Sequence, residues 1–392
     1  MPDSIERVKA ATAPAATLDR IETPALVLDA DKLERNVARL TARLESLGVG
    51  LRPHVKTAKS IDVARRLFAQ GRGPITVSTI REAEYFADAG LTDIVYGVGL
   101  APDKLERLRA LAARGIDVMV ILDAVEQAVA VAQAARAGGP MPSVLIEIDC
   151  DGHRGGLVPD DPRIVAIARI LREGGVDLRG VLTHAGESYA CRGGVGLPEA
   201  AEAERAAALT AAGLLRSHGY PCPIVSVGST PTAHFARDLA GVTEVRAGVF
   251  MFFDLVMHGI GVCTIDDIAL SVLATVIGHK PEKGWILVDA GWMAMSRDRG
   301  TARHPVDQGY GVVCDIRGNP HPDVIVVDAS QEHGTVAIRP GSGAKLPQLP
   351  IGSRVRILPN HACATGAQHD QYHVVRGGGR QILATWPRMR GW

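Results

Sequence analysis

The sequence predicts an α/β protein, a parallel (β/α)8 TIM barrel followed by a C-terminal antiparallel β-domain. Over the first ~250 residues, short apolar runs alternate with stretches of helical periodicity, roughly one pair every 25–35 residues. About eight such pairs occur, the number that closes a (β/α)8 barrel. After Cys263 the helical stretches give way to short strand-like runs separated by Gly, Pro and Asn turns.

Each predicted barrel strand is a short apolar run, and each predicted helix carries apolar residues at helical spacing. In the first helix, for example, Leu33, Val37, Leu40 and Leu44 fall on one face. The predicted strands are Ala25–Asp29, Leu51–Lys56, Ile75–Thr79, Asp93–Tyr96, Asp117–Leu122, Ser143–Ile148, Leu178–Thr183 and Ile224–Val227, with Glu244–Arg246 closing the set. The predicted helices are Asp31–Leu47, Ser60–Gln70, Ile80–Ala89, Ala101–Arg114, Ala124–Ala137, Asp161–Glu173, Pro198–His218 and Thr232–Ala240.

The main competing fold is a doubly wound sheet. Such a sheet normally has a glycine-rich turn after its first strand, and the segment Asp29–Leu33 contains no glycine. The predicted strands of the β-domain are Leu270–Ile277, Trp285–Val288, Asp323–Val327, Thr335–Ile338 and Arg354–Leu358. We therefore predict an N-terminal segment (1–24) that joins the β-domain, a barrel (25–262) and the β-domain itself (263–392).

Composition excludes several classes of protein. The chain has 392 residues, of which 46% are hydrophobic and 22% charged, values that exclude a disordered protein. Its 43 Lys and Arg balance its 43 Asp and Glu, so no net charge draws it to nucleic acid or to anionic lipid. The six cysteines lie far apart without a CxxC pair, which indicates a reducing compartment and not a disulfide scaffold.

The N-terminal region shows no export signal. Residues 1–18 lack an apolar core, and the chain contains no run of about 18 or more apolar residues. We therefore expect a cytoplasmic protein with neither a membrane nor a nucleic-acid partner.

A lysine follows the second predicted strand, at the end of the barrel where active sites lie. Lys56 is flanked by apolar Val55 and is suited to Schiff-base formation if burial lowers its pKa. A surface lysine at a helix start is the alternative, and nearby Lys59 fits that description better.

Two further strand ends carry side chains suited to ligand binding. The glycines around Arg154 permit close backbone approach to a ligand, and its guanidinium can donate to an anionic oxygen. His184 can stack on a planar ring, and Tyr189 can reach a phosphate or a substrate. A turn with a solvated arginine and a structural histidine are the alternatives for these two segments.

Gly228, Ser229 and Thr230 form a candidate phosphate cradle at a predicted helix start. A glycine followed by hydroxyl residues offers free backbone N–H groups, hydroxyl donors and the positive end of a helix dipole. A capped helix start without a ligand is the alternative.

Arg246, Gly248 and Val249 follow the last predicted strand. Their backbone N–H groups would complete an anion site, since barrels often bind phosphate with the loops after strands seven and eight. All of these clusters fall at strand ends of one barrel. A phosphorylated planar cofactor bound across the barrel mouth requires that placement.

The predicted β-domain contains a His-x-Cys pair, His361 and Cys363. In an extended segment the two side chains lie on one side, and they suit Zn²⁺ or a similar divalent ion with open positions for water or substrate. A chance match is the alternative for the pair alone. His369, Asp370 and His373 lie close behind it.

These segments resemble those of a known family. The chain is similar to the metal-activated, fold-type III pyridoxal phosphate enzymes: D-threonine aldolase, 3-hydroxy-D-aspartate aldolase and eukaryotic-type D-serine dehydratase, which are relatives of alanine racemase. The resemblance extends from Thr23 to His373, nearly the whole chain.

The resemblance implies roles for the residues around the cofactor. Arg52–Lys59 looks like the cofactor-lysine motif of the family, which implies that Lys56 forms the Schiff base with the cofactor. The segment of Arg154 resembles the one whose arginine contacts the phenolic oxygen of the cofactor. The segment of His184 and Tyr189 resembles the one whose histidine stacks on the ring.

The same resemblance covers the phosphate and metal segments. Gly228–Thr230 and Arg246–Val249 look like the phosphate and pyridine sides of the cofactor site. His361 and Cys363 are similar to the metal pair of the family, which implies a divalent ion such as Mg²⁺, Mn²⁺ or Zn²⁺. The base of D-threonine aldolases has no clear counterpart here, because Cys191 and glycines follow Tyr189.

The implied activity is cleavage of a D-3-hydroxy amino acid. D-threonine aldolases typically have Asp where this chain has Cys363, whereas D-serine dehydratases have Cys. The wider string from His361 to His373 looks most like the branch that cleaves 3-hydroxyaspartate. We therefore predict a carbon–carbon lyase that splits 3-hydroxy-D-aspartate into glycine and glyoxylate, with D-threonine as a further substrate.

Three alternatives remain open. A dehydratase of D-threo-3-hydroxyaspartate or D-serine would need the same lysine, cofactor and metal and would form an oxo acid and ammonia. A non-catalytic barrel that carries pyridoxal phosphate would be shorter and would lack the β-domain. A metal-free racemase would leave His361 and Cys363 unexplained.

The long loop before the last strands is rich in cations. Arg297, Arg299 and Arg303 could bind a second substrate carboxylate, and solvated loop charges are the alternative. The resemblance also implies a head-to-tail homodimer, in which the β-domain of one subunit approaches the barrel mouth of the other.

Overall fold

The computed structural model describes residues 16–392 and contains two sheets, one parallel with eight strands and one mostly antiparallel with nine. Residues 1–15, most of the predicted N-terminal segment, lie outside the described residues. Within the described range, no helix has the length and apolar character needed to cross a membrane.

The first strand, β1 (Ala25–Asp29), is not part of the barrel. It pairs antiparallel with residues 270–273 and parallel with residues 373–375, both in the nine-stranded sheet. All five of its residues are buried. A short run buried on both faces fits the interior of either sheet, and periodicity cannot distinguish the two. The predicted start of the barrel at residue 25 therefore differs from the first barrel strand in the structure.

The eight-stranded sheet is the barrel, with helices packed around it. Its strands are β2 (Gly50–Pro53), β3 (Ile75–Val77), β4 (Asp93–Gly99), β5 (Asp117–Leu122), β6 (Ser143–Ile148), β7 (Leu178–Thr183), β8 (Ile224–Val227) and β9 (Glu244–Ala247). The helices of this half are α1 (Ala30–Ser46), α2 (Ile61–Arg66), α3 (Ile80–Asp88), α4 (Leu105–Ala113), α5 (Val125–Arg136), α6 (Arg163–Glu173), α7 (Leu197–Ser217), α8 (Thr230–Phe235) and α9 (Leu255–Gly259). Short 3₁₀ turns span Pro102–Lys104, Glu187–Ala190 and Val249–Met251.

The nine-stranded sheet forms the β-domain. Its remaining strands are β10 (Leu270–Lys280), β11 (Trp285–Val288), β12 (Val312–Cys314), β13 (Pro320–Ala329), β14 (Gly334–Ile338), β15 (Arg354–Leu358), β16 (Gln371–Val375) and β17 (Ala384–Pro387). The order β11-β14-β13-β12-β15-β10, with β10 pairing back to β11, closes six strands into a second barrel. Two short helices, α10 (Trp292–Met295) and α11 (Ala362–Gly366), and 3₁₀ turns at Ile265–Asp267, Pro281–Lys283 and Gly300–Arg303 complete this half.

The described part of the N-terminal segment contacts the β-domain. The backbone N–H of Leu18 donates to the carbonyl of Arg380, and that of Ile382 donates to the carbonyl of Ala16. The Leu18 side chain is fully buried in a small cluster with Val27 and Leu273.

The barrel has a seam between β2 and β3, which are joined by one isolated bridge, His54 to Thr76. Arg52 strengthens this seam from inside. Its Nε lies 2.8 Å from the Glu244 carboxylate on β9, and its Nη1 lies 2.6 Å from Asp93 on β4. The arginine is 3% exposed, so little water competes for these bonds.

Replacement of Arg52 by Ala should destabilise the barrel by about 3 kcal/mol, because the largely buried Glu244 carboxylate loses its cation and keeps only the Ser226 hydroxyl as a donor. Urea-induced unfolding followed by circular dichroism measures the change. Arg179→Ala is the matched control, since Arg179 forms solvent-accessible pairs with Asp117 and Asp177, and it should cost less than about 1 kcal/mol. Equal losses in the two variants would contradict the role given to Arg52.

Candidate active site

A cavity of about 590 Å³ opens at the C-terminal ends of the barrel strands, between the barrel and the β-domain. The structure brings to it every residue that the sequence singled out for cofactor, catalysis or metal. They are Lys56, Arg154, His184, Tyr189, Gly228, Ser229, Thr230, Arg246, Gly248, Val249, His361 and Cys363. Their individual roles stay predictions.

Lys56 follows β2 in a tight turn, and its side chain lines the cavity. Across the described residues its amine has no hydrogen-bond or ion-pair partner. Lys59, expected at the surface, is instead largely buried, and its amine lies 3.0 Å from the fully buried carboxylate of Glu82. The reason is electrostatic, because a buried carboxylate needs a cation beside it. Of the two lysines, only Lys56 lines the cavity.

The loop after β6 presents Arg154 to the cavity. Asp149 orders this loop by accepting from the backbone N–H of Gly152 at 2.7 Å. Asp151 ties it to the next loop by accepting from the N–H of Glu187 at 2.8 Å. Glu147 lies beneath, and burial raises the pKa of its carboxyl while Arg154 opposes the rise.

His184 is held as a neutral ring. Its Nδ1 lies 2.9 Å from the backbone carbonyl of Gly228, so this nitrogen carries the proton. Burial lowers the pKa of His184 to about 3. A flat, uncharged ring fixed at the cavity wall fits the stacking role predicted for it. Tyr189 lies beside it, with the ring centres 6.3 Å apart.

Glu204 on α7 positions two of these loops, and the sequence analysis missed it. Its Oε1 accepts from the backbone N–H of Ala185 at 2.8 Å and from that of Gly228 at 2.9 Å. The side chain is 2% exposed, and burial raises its pKa. The sequence does indicate that Glu204 is buried, because it falls at helical spacing with the buried residues Ala201 and Ala208.

The cradle around Gly228 fits a phosphate. Gly228 has φ of 138°, and a Cβ there would lie 2.1 Å from the Arg246 carbonyl, so no side chain could be present. The Thr230 hydroxyl is buried and has no hydrogen-bond partner in the described chain. A buried hydroxyl without a partner is costly, and a phosphate oxygen would satisfy it.

Ser229 differs from Thr230. Its hydroxyl caps α8 by accepting from the N–H of Thr232 at 3.2 Å, and it lies 2.9 Å from the Ser188 hydroxyl. These hydrogen bonds already occupy most of the donor and acceptor positions of the Ser229 hydroxyl. Arg246 is also engaged, since it donates to the Ser226 hydroxyl and the Thr183 carbonyl beneath the cavity.

The His-x-Cys pair stands on the β-domain side of the cavity. His361 Nδ1 lies 2.6 Å from Asp298 Oδ2, which leaves Nε2 for another partner. Cys363 Sγ lies 3.2 Å from the Thr57 hydroxyl. Burial opposes charge on both groups, but Cys363 and Asp298 raise the pKa of His361 to about 11, and His361 lowers the pKa of the Cys363 thiol.

These donors fit a divalent ion with open positions. A carboxylate on the far nitrogen of a histidine is the usual way to orient a metal-binding imidazole. Within residues 16–392, no group of three or more His, Cys, Asp or Glu side chains is placed to hold a metal. An ion on His361 and Cys363 would therefore keep several positions for water or substrate. Asp298 was not anticipated from the sequence, because it lies 63 positions from His361.

Asp254 docks the loop of His361 onto the barrel. It caps the start of α9, where its Oδ1 accepts from the N–H of Met257, and its Oδ2 accepts from the N–H of Ala362, each at 2.9 Å. Two backbone bonds extend this contact, from the N–H of Leu255 to Pro359 and from that of Val256 to Asn360. The sequence signal was an isolated acidic residue inside an otherwise apolar stretch.

Two family models match the chain. "Alanine racemase, N-terminal domain" matches residues 28–256, and "Putative serine dehydratase domain" matches residues 269–375. The first therefore covers the parallel barrel, and the second covers most of the β-domain with His361 and Cys363.

Among curated proteins, D-threo-3-hydroxyaspartate dehydratase of Delftia sp. is 53% identical over 96% of this chain and 99% of its own length. The solved structure of that dehydratase superposes with a TM-score of 0.92, 53% identity and coverage of 96% and 100%. The solved structure of a D-threo-3-hydroxyaspartate dehydratase with a cysteine-to-alanine replacement, described as the metal-free form, superposes with a TM-score of 0.92 at 52% identity and covers 96% of this chain and 100% of its own.

These relatives contradict the predicted carbon–carbon lyase. D-threonine aldolase of Arthrobacter sp. is 32% identical over 93% of this chain and 92% of its own length, well below the dehydratase. The aldolase assignment from the sequence is therefore wrong, and the alternative that it left open, a dehydratase, agrees better with the relatives.

Replacement of Thr230 by Val should weaken binding of pyridoxal phosphate about 10-fold, because one hydrogen bond to a charged oxygen is lost. Thermal stability of the cofactor-free protein should not fall, since the hydroxyl has no partner to lose among the described residues. Absorbance titration of cofactor-free protein measures the affinity. Thr230→Ser keeps the hydroxyl and should bind normally; equal affinity of the Val variant and the parent would count against the cradle.

Proposed function

The chain belongs to the alanine racemase-like, fold-type III family of pyridoxal phosphate enzymes, and we propose that it is a metal-assisted dehydratase of D-threo-3-hydroxyaspartate. The observation that carries the proposal is the 53% identity to that dehydratase over nearly the full length of both chains. The cavity supports it, because Lys56 on the barrel and the pair His361 and Cys363 on the β-domain line the same space.

The proposed reaction breaks two bonds of the substrate. A proton leaves Cα and the hydroxyl leaves Cβ, so that water is lost and an enamine forms. The enamine tautomerises to an imine, and hydrolysis of this imine takes up one water. The net products of 3-hydroxyaspartate are therefore oxaloacetate and ammonia. When bound, pyridoxal phosphate supplies an electron sink for the pair left at Cα.

Lys56 is the proposed base. Its amine would first hold the cofactor and, once a substrate amine replaces it, would take the Cα proton. Support comes from its place in the cavity without a carboxylate partner in the described part of the chain. Lys59 is unsuited to this role, because its amine is paired with Glu82.

His361 and Cys363 are the proposed metal ligands. A divalent ion there would act as a Lewis acid on the substrate hydroxyl and make it a better leaving group. Asp298 would keep the His361 Nδ1 protonated and turn Nε2 towards the ion. A solved D-threo-3-hydroxyaspartate dehydratase with a cysteine-to-alanine replacement is described as a metal-free form, which supports a metal in this kind of enzyme.

The other cavity residues would hold the cofactor. Thr230 and the backbone at Gly228, Gly248 and Val249 would receive its phosphate. His184, kept neutral by burial, would lie against its ring. Arg154, on the neighbouring loop, would donate to its phenolic oxygen.

Product analysis tests the proposed reaction. With D-threo-3-hydroxyaspartate we expect one oxaloacetate and one ammonia for each substrate consumed, measured by a coupled malate dehydrogenase assay and by ammonia determination. Lys56→Ala should abolish both. Glycine and glyoxylate as products would contradict a dehydratase, and turnover of D-serine without turnover of 3-hydroxyaspartate would contradict the proposed substrate.

Replacement of Asp298 by Asn should lower metal affinity by roughly 10- to 100-fold, because the His361 ring loses the carboxylate that orients it. Electron paramagnetic resonance of free Mn²⁺, added to metal-stripped holoenzyme, measures the affinity. Asp307→Asn is the control, since Asp307 lies in the same loop but binds Arg299. Visible absorbance of the cofactor should stay unchanged. Equal Mn²⁺ affinity in both variants would contradict the proposed role of Asp298.

A further inference from the structure

We propose that Arg303 binds the β-carboxylate of the substrate and thereby selects dicarboxylic 3-hydroxy amino acids over D-serine. The inference rests on the proposed function, because it assigns a residue to the group that distinguishes the two substrates. 3-Hydroxyaspartate carries a carboxylate on the carbon that bears the hydroxyl, whereas D-serine carries a hydrogen there.

The three arginines of the loop between α10 and β12 have different surroundings in the structure. Arg297 lies over the Trp292 ring at 4.5 Å from its centre. Arg299 pairs with Asp307 at 2.6 Å. Of these three, only Arg303 lines the cavity, and its guanidinium has no hydrogen-bond or ion-pair partner in the chain as described.

The segment that carries Arg303 is fastened to the metal side of the cavity. The Thr301 hydroxyl donates to Asn360 Oδ1 at 2.8 Å, and Asn360 immediately precedes His361. The backbone N–H of His304 donates to the carbonyl of Thr301 at 2.9 Å. Asp298, in the same loop, holds His361 directly. The backbone segment of Arg303 is thus fixed by contacts that also hold the loop of the proposed metal ligand.

The chemistry of the substrate favours a β-carboxylate site on the side of the cavity that carries His361 and Cys363. The β-hydroxyl must reach the metal on His361 and Cys363, and the β-carboxylate is attached to the same carbon. In the proposed reaction the carboxylate would therefore lie close to His361 and Cys363, and Asp298 and Thr301 attach the loop of Arg303 to that side of the cavity. A guanidinium suits it, since its planar donors match both oxygens of a carboxylate.

The other cations that line the cavity have different partners or positions. Arg246 is buried, and its donors are bound to Ser226 and Thr183. One nitrogen of Arg192 donates to the backbone carbonyls of residues 189, 190 and 191. Arg154 belongs to the loop after β6, on the barrel side, where it is proposed to contact the cofactor.

Arg303→Gln removes the charge and leaves a shorter polar side chain. We expect kcat/KM for D-threo-3-hydroxyaspartate to fall by roughly 10- to 100-fold, the usual effect of losing a charge-assisted hydrogen bond. Arg303→Lys should recover part of the loss. Arg297→Gln is the matched control in the same loop and should leave kcat/KM within about 2-fold of the parent.

Inhibition by two unreactive amino acids separates the β-carboxylate from the α-carboxylate. D-aspartate and D-alanine both lack the β-hydroxyl, and only D-aspartate has the second carboxylate. In Arg303→Gln the inhibition constant of D-aspartate should rise by roughly 10- to 100-fold, while that of D-alanine changes less than about 2-fold. Melting temperature and cofactor absorbance should match the parent, because Arg303 is exposed.

The outcomes distinguish the two proposals. Equal weakening of D-aspartate and D-alanine would overturn the inference, because Arg303 would then act on the α-carboxylate or on the fold. Unchanged D-aspartate inhibition would overturn it as well. If the parent enzyme fails to dehydrate 3-hydroxyaspartate but D-aspartate binding, measured by the change in cofactor absorbance, still depends on Arg303, the proposed function fails and the assignment of Arg303 to a β-carboxylate stands.

Discussion

The candidate site depends on one buried carboxylate, that of Asp254. It starts α9 at the end of the barrel and at the same time accepts from the N–H of Ala362, so that one side chain fixes both halves of the cavity. Burial raises the pKa of this carboxyl, and the nearby His361 opposes the rise. Together with the backbone bonds from Leu255 to Pro359 and from Val256 to Asn360, this contact fixes the loop of His361 and Cys363 against the barrel. The distance from Lys56 to the proposed metal ligands therefore depends on how the β-domain contacts the barrel.

The sequence predicted the residues of the cavity better than the contacts that hold them. Strand-end motifs such as Gly228–Thr230 are local, and a parallel barrel places all such ends on one face. Asp298, Glu204 and Asp254 act across long separations in the chain, which periodicity and spacing do not report. The same limit explains β1: its apolar residues predict a buried strand and do not reveal which sheet buries it.

The wrong aldolase assignment has a chemical cause. Retro-aldol cleavage and dehydration of a 3-hydroxy amino acid need the same lysine, cofactor and metal, so the residues that were recognised suit both reactions equally. Cys363 favours the dehydratases, whereas the wider string from His361 to His373 resembles the branch that cleaves 3-hydroxyaspartate. Identity over the whole chain, and not any single motif, corrected the choice.

The fate of the Cα hydrogen tests the central claim most directly. Dehydration requires a base to remove this hydrogen, whereas aldol cleavage breaks the Cα–Cβ bond and leaves it in place. D-threo-3-hydroxyaspartate deuterated at Cα should be consumed more slowly than the protonated substrate, and no deuterated glycine should appear among the products analysed by mass spectrometry. Deuterium retained in glycine, with no slowing, would contradict a Lys56-dependent dehydratase.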